Sequence, residues 1–160
     1  MARNHPILPH PIIAVGAVIE NDAGEILMVR RCRPPRKGEW SIPGGKVEWG
    51  EPVQTALKRE VTEETGLKIE LAGLIDIVDS FIPDDAGKTA YHHVLLDYAA
   101  RALSGRAQPG DDVQEVKWIL RENLDLLPMW SETRRIIEAS KGLLKPRLQP
   151  KQAMINLVNM

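Results

Sequence analysis

Residues 44–67 read GGKVEWGEPVQTALKREVTEETGL, a paired-glycine turn followed by a segment of helical period. Over residues 52–65 proline stands in the first turn, neither Gly nor Pro follows inside, and Gly66 comes directly after. That is the start and stop pattern of a helix. At about 100° per residue, Val53, Ala56, Leu57 and Val61 form an apolar stripe, with Gln54, Thr55, Lys58 and Thr62 opposite. Glu60, Glu63 and Glu64 fall on or beside the stripe rather than on the solvent face. Carboxylates at this spacing repel by about 0.2–0.5 kcal/mol per pair on an exposed helix. Partial burial raises that cost, because unpaired ionised groups resist leaving water. A solvated acidic patch balanced by Lys58 and Arg59 is the ordinary reading of such a cluster. Its position on the wrong face argues instead for a hard divalent cation, Mg²⁺ or Mn²⁺, which takes oxygen ligands and completes its shell with substrate phosphates.

Two features upstream agree with a phosphate-bearing substrate. At Pro43-Gly44-Gly45 the absence of side chains lets backbone approach closely, so a carbonyl there can reach an ion or a ligand. Arg30, Arg31, Arg33, Arg36 and Lys37 concentrate positive charge just before it, and guanidinium forks suit phosphate oxygens. For Arg33, Arg36 and Lys37 a solubilising loop explains the charge equally well; Arg31 ends a strand aimed at the turn. Trp40 and Trp49 flank the same turn and are candidates to stack a base, with packing beneath the turn the alternative for Trp40. Trp118 alternates with Glu115 and Lys117 and reads as core, and Trp130 reads as core or pocket rim. His92 and His93 are adjacent on a strand and face opposite ways, so a zinc site is a poor reading.

Further outward, residues 12–19 and 25–31 read as two strands joined by a turn, residues 33–38 as a loop, and residues 69–81, 91–100 and 113–119 as later strands. A second helix is predicted over residues 129–141. The expected organisation is an extended, proline-bearing arm at 1–11, one mixed α/β domain at 12–141, and a tail at 142–160. A length of 160 residues suits one domain. With 21 Lys and Arg against 22 Asp and Glu, the net charge of −1 gives no support to nucleic-acid binding. One cysteine, Cys32, fits a reducing compartment, and no apolar run approaches a membrane span, so a cytoplasmic chain is expected.

Gly45, Glu51 and the run Arg59-Glu60-Val61-Thr62-Glu63-Glu64-Thr65-Gly66-Leu67 fill every fixed position of the Nudix box, and the chain resembles Nudix hydrolases over roughly residues 12–120. The resemblance implies an α/β/α sandwich with a mixed sheet that hydrolyses a nucleoside diphosphate linked to another group, using Mg²⁺ or Mn²⁺. It implies Glu60, Glu63 and Glu64 as metal ligands with the Gly44 carbonyl as a further one. It also implies a Glu51–Arg59 ion pair bracing loop against helix, and Arg31 as a phosphate contact. Glu60 is one candidate general base; Asp112, placed slightly ahead of Glu115, is the other. Pro83, 16 residues past Leu67, matches a weak marker of ADP-ribose-cleaving relatives. The implied substrate is ADP-ribose or an ADP-sugar. The alternatives are a (d)NTP cleaved to NMP and pyrophosphate, or a nucleotide-sensing module without turnover. The resemblance makes a homodimer the candidate assembly.

Overall fold

The computed structural model describes residues 9–146. Seven strands and two helices follow in the order β1 (Ile12–Glu20), β2 (Glu25–Arg31), β3 (Trp40–Ser41), β4 (Gly44–Lys46), α1 (Val53–Thr65), β5 (Lys68–Pro83), β6 (Thr89–Ser104), β7 (Val113–Leu120) and α2 (Ser131–Ala139). The sheet is mixed: β1 runs parallel to β6, and every other pairing is antiparallel. The strand path is β3-β2-β1-β6-β5, with β4 added to β1 and β7 to β2.

Apolar residues on successive positions of the central strands point to opposite faces, which demands cover on both. Val15, Ala17, Ile19 and Leu27 pack with Ala56, Leu57 and Val61 of α1. Val18, Ile26, Met28 and Ala99 pack with Ile136 and Ile137 of α2. The result is the expected α/β/α sandwich. Helix α1 stops at Gly66, whose φ of 73° carries the left-handed cap and whose N–H returns to the Thr62 carbonyl at 2.9 Å.

Several expectations need correction. The strands at 12–19 and 25–31 do form, yet they separate after pairing at Glu20 and Ile26. Beyond that point β1 takes β4 and β6, while β2 takes β3 and β7. The two- and three-residue strands β3 and β4 show no period of their own; they exist because neighbouring strands offer hydrogen bonds. The second helix begins at Ser131 rather than Met129, because Trp40 donates its N–H to the Pro128 carbonyl and bridges Met129. Its end is a 3-10 turn at Ser140–Gly142, and a further 3-10 segment, Arg121–Leu126, was not foreseen. Of the terminal segments, residues 1–8 and 147–160 lie outside the described residues. Leu144, at the start of the expected tail, is buried in the α2-side core.

Because Leu57 is fully buried in the α1-side core, Leu57→Ala should cost about 2–5 kcal/mol. Urea unfolding would show it as a lower midpoint with an unchanged slope.

Candidate active site

The site begins where β4 pairs with β1, placing Gly44 opposite Gly16 and Gly45 opposite Val15. A Cβ at Gly45 would lie 2.3 Å from the Glu60 carboxylate, and one at Gly44 would lie 2.0 Å from the Val15 carbonyl oxygen. Glycine at both positions is therefore what lets α1 and β1 close on the turn. The Gly44 N–H donates to Glu64 Oε2 at 3.0 Å. Glu60 and Glu64, one helical turn apart, are half-buried against this turn. Glu63 departs from the expected face: its side chain is 52% exposed at the helix edge.

Arg59 organises the remaining carboxylates. Its Nε and Nη2 donate to the two oxygens of Glu51 at 2.8 and 3.0 Å. Its Nη1 reaches Glu60 at 2.8 Å and Glu63 at 3.1 Å, and Nη2 also reaches the Lys46 carbonyl at 3.1 Å. This guanidinium holds the Glu51 carboxyl below its ordinary value, and the same partners raise Arg59 above its own. The predicted loop-to-helix brace is therefore present, and Arg59 serves as a positioning residue. Glu64 is pushed up to about 7, chiefly by burial, with the Gly44 N–H opposing, Glu60 reinforcing, Arg31 opposing and Asp112 reinforcing.

Among the described residues no three acidic, His or Cys side chains converge on one centre. Arg59 holds Glu60 and Glu63, while Glu64 turns to Gly44. The chemistry of the donor set nonetheless suits Mg²⁺ or Mn²⁺, being hard oxygen from Glu60, Glu63, Glu64 and the Gly44 carbonyl. The space at Gly45 that any Cβ would fill adjoins the Glu60 carboxylate.

From the turn opens a cleft of about 530 Å³ on the α2 face of the sheet. Arg31, Arg36 and Asp112 line it. The Arg31 Nε is anchored to the Pro35 carbonyl at 3.0 Å. Arg36 lies 4.2 Å over the Trp130 ring, so it belongs to the cleft wall rather than to a merely solubilising loop, and Trp130 is rim. Asp112 pairs with Arg33 at 2.5 Å. Glu115 instead lies 3.9 Å from Arg30 and is absent from the cleft lining.

Of the two tryptophans that flank the turn, only Trp49 lies away from the cleft. Trp40 is 7% exposed and packs in the α2-side core, as the packing alternative expects, and it also lines the cleft. Trp49 is fully exposed and does not line the cleft, because the tight turn that brings Glu51 to Arg59 carries it outward. His93 faces the cleft while His92 pairs with Asp79 on the other face, as adjacent strand residues must. Pro83 ends β5 and does not line the cleft. Sequence reasoning passed over three buried polar residues of the lining, Ser80, Asp97 and Thr133. Asp97 did carry a signal, as the one charge within the apolar run of residues 94–100.

The lowered Glu51 carboxyl makes a pH prediction. An acid depressed in the folded state contributes stability above its unfolded value and loses it as pH falls through the folded one. Glu51→Gln should therefore lower the melting temperature at neutral pH and flatten its decline through the carboxylate range, measured by thermal melts across pH.

Comparison with known proteins supplies the family. The NUDIX domain model matches residues 10–140. An ADP-ribose pyrophosphatase of Methanocaldococcus jannaschii is 36% identical over 125 residues, covering 78% of this chain and 71% of the relative. A putative 8-oxo-dGTP diphosphatase 2 of Mycobacterium tuberculosis is 34% identical over 114 residues, covering 68% of this chain and 79% of the relative. The crystal structure of a MutT NUDIX hydrolase from Burkholderia pseudomallei superposes with a TM-score of 0.70 at 37% identity, over 81% of this chain and 98% of that one. The box that closes loop on helix through Arg59 is thus matched both by sequence and by architecture, and the chain belongs to the Nudix family of hydrolases.

Proposed function

We propose that this hydrolase cleaves the diphosphate of a nucleoside diphosphate linked to another moiety, with ADP-ribose, giving AMP and ribose 5-phosphate, as its leading substrate. The observation that carries this reading is the continuity of the acidic turn with a 530 Å³ cleft whose wall bears Arg31 and Arg36. Such a shape takes a diphosphate at one end and its organic substituent at the other. The 36% identity to a protein named ADP-ribose pyrophosphatase supports the choice. The second reading, hydrolysis of a (d)NTP such as 8-oxo-dGTP, is favoured by the mycobacterial relative at 34%.

In this mechanism Glu60, Glu63, Glu64 and the Gly44 carbonyl hold Mg²⁺ or Mn²⁺, which when bound supplies charge neutralisation on the diphosphate. Arg31, fixed by the Pro35 carbonyl, presents its guanidinium to phosphate oxygens. Arg59 orients Glu60 and Glu63 through its paired N–H groups. Asp112, facing the cleft, takes the proton of the attacking water. The new P–O bond forms as the bridging P–O bond breaks, and the leaving phosphate departs with the electron pair. Hydrolysis of a phosphoric anhydride depends on positioning and charge stabilisation, so it requires no nucleophile from Cys32.

Incubation with ADP-ribose, the eight common (d)NTPs and 8-oxo-dGTP in Mg²⁺ tests the substrate. AMP from ADP-ribose is the expected product; efficient cleavage of one triphosphate with no AMP from ADP-ribose overturns the choice. Glu63 is half exposed, so Glu63→Gln should preserve the melting temperature within a few degrees while lowering turnover by orders of magnitude. Unchanged turnover would remove the proposed ligand set.

A further inference from the structure

Asp97 sits on β6 in the floor of the cleft, in a row fixed by strand register. Gly16 of β1 pairs with Gly44 on one side and with Asp97 on the other. Two strand spacings, about 10 Å, therefore separate the backbone of the acidic turn from that of Asp97. The carboxyl leans over Gly16: a Cβ there would lie 2.4 Å from Asp97 Oδ1 and 2.9 Å from Ile42 Cδ1. Glycine at position 16 thus leaves room for the Asp97 carboxyl and Ile42 to close over β1.

Asp97 is 6% exposed, yet its side chain makes no hydrogen bond to protein among the described residues. Burial pushes its carboxyl up to about 7, with Asp76 reinforcing and Arg135 opposing. Glu64 accepts from the Gly44 N–H, whereas Asp97 lies on the strand across Gly16 from that turn. Val78, Leu95 and Ile42 line the cleft with it. A largely buried acid without a hydrogen-bond partner in the protein costs stability, and a ligand group entering the cleft can offset that cost.

An acid at this place repels phosphate and matches a hydrogen-bond donor. We propose that Asp97 is a specificity-determining residue that accepts an N–H or O–H donor from the organic group attached to the diphosphate. The donor chemistry is shared by a nucleobase amino group and a sugar hydroxyl. The inference rests on the cleft being the substrate site, whichever nucleotide the panel selects.

The test compares the wild-type enzyme with Asp97→Asn and Asp97→Leu on the best substrate of the panel. It uses ADP-ribose with two analogues if that is the substrate: the hypoxanthine form, which lacks the base amino group, and the 2-deoxyribose form, which lacks one terminal-sugar hydroxyl. If a triphosphate is preferred, the corresponding inosine and 2′-deoxy or 2′-hydroxy forms replace them. Asp97→Leu should raise KM at least tenfold with kcat changed less than threefold, and its melting temperature should match or exceed that of the wild type. Discrimination against one analogue should also collapse in Asp97→Leu; which analogue it is identifies the donor as base or sugar. Asp97→Asn, which keeps the shape and one acceptor oxygen, should fall between. Unchanged KM and unchanged discrimination in both variants overturn the proposal, as does a lowered melting temperature with unchanged KM, which would mark a structural acid. Absence of ADP-ribose cleavage by the wild type overturns the substrate choice alone and leaves the Asp97 comparison intact on the triphosphate.

Discussion

The distance of closest approach between α1 and the β4 turn governs the rest of this molecule. Gly45 leaves the Glu60 carboxylate in the space that a Cβ would occupy, and Gly44 leaves β4 in contact with β1. Close approach brings half-buried Glu64 to the Gly44 N–H and half-buried Glu60 against Gly45, and puts like charges together, a combination that ordinarily opposes folding. Arg59 makes it tolerable: one guanidinium bridges Glu51 in the preceding loop, Glu60 and Glu63 on the helix, and the Lys46 carbonyl. Loop, strand and helix meet at that one side chain. Its burial and bidentate geometry distinguish it from the weak ion pairs of an exposed surface.

Strand register carries this local arrangement into the cleft. Through Gly16 the glycine turn is linked to Asp97 at the same level of the sheet. The cleft consequently has acids beside the turn, arginines along its wall, and a further acid, Asp97, on β6. A near-neutral chain thus holds strongly segregated charge.

Much of this was legible in the sequence because it was local. The α1 boundaries, the Gly66 cap, the positions of Glu60 and Glu64 beside the apolar stripe and the opposed faces of His92 and His93 all follow from periods of 3.6 and 2. The Glu51–Arg59 brace spans eight residues across a loop and a helix start, and came from family resemblance rather than from periodicity. Where the reading failed, the cause was a long-range partner. Trp49 was nominated for nearness in sequence to the turn, but the bend that delivers Glu51 to Arg59 turns it outward. For Trp40 the sequence left packing and stacking open, and pairing with residues 128 and 129 set its place in the core. Glu63 lies at the edge of the apolar stripe, where its side chain is half exposed.

By itself, then, the sequence determined the helix, its cap, its acidic cluster and the oxygen-donor chemistry, since each depends on residues within a few turns of one another. Only the tertiary structure decided that β1 and β2 diverge after one shared register point, that Asp112 rather than Glu115 faces the cleft, and that Asp97 lies in its floor. Those placements depend on which strands pair and which sheet face a helix covers. Such choices are set by the summed burial of side chains distant in sequence, and no single stretch of the chain contains them.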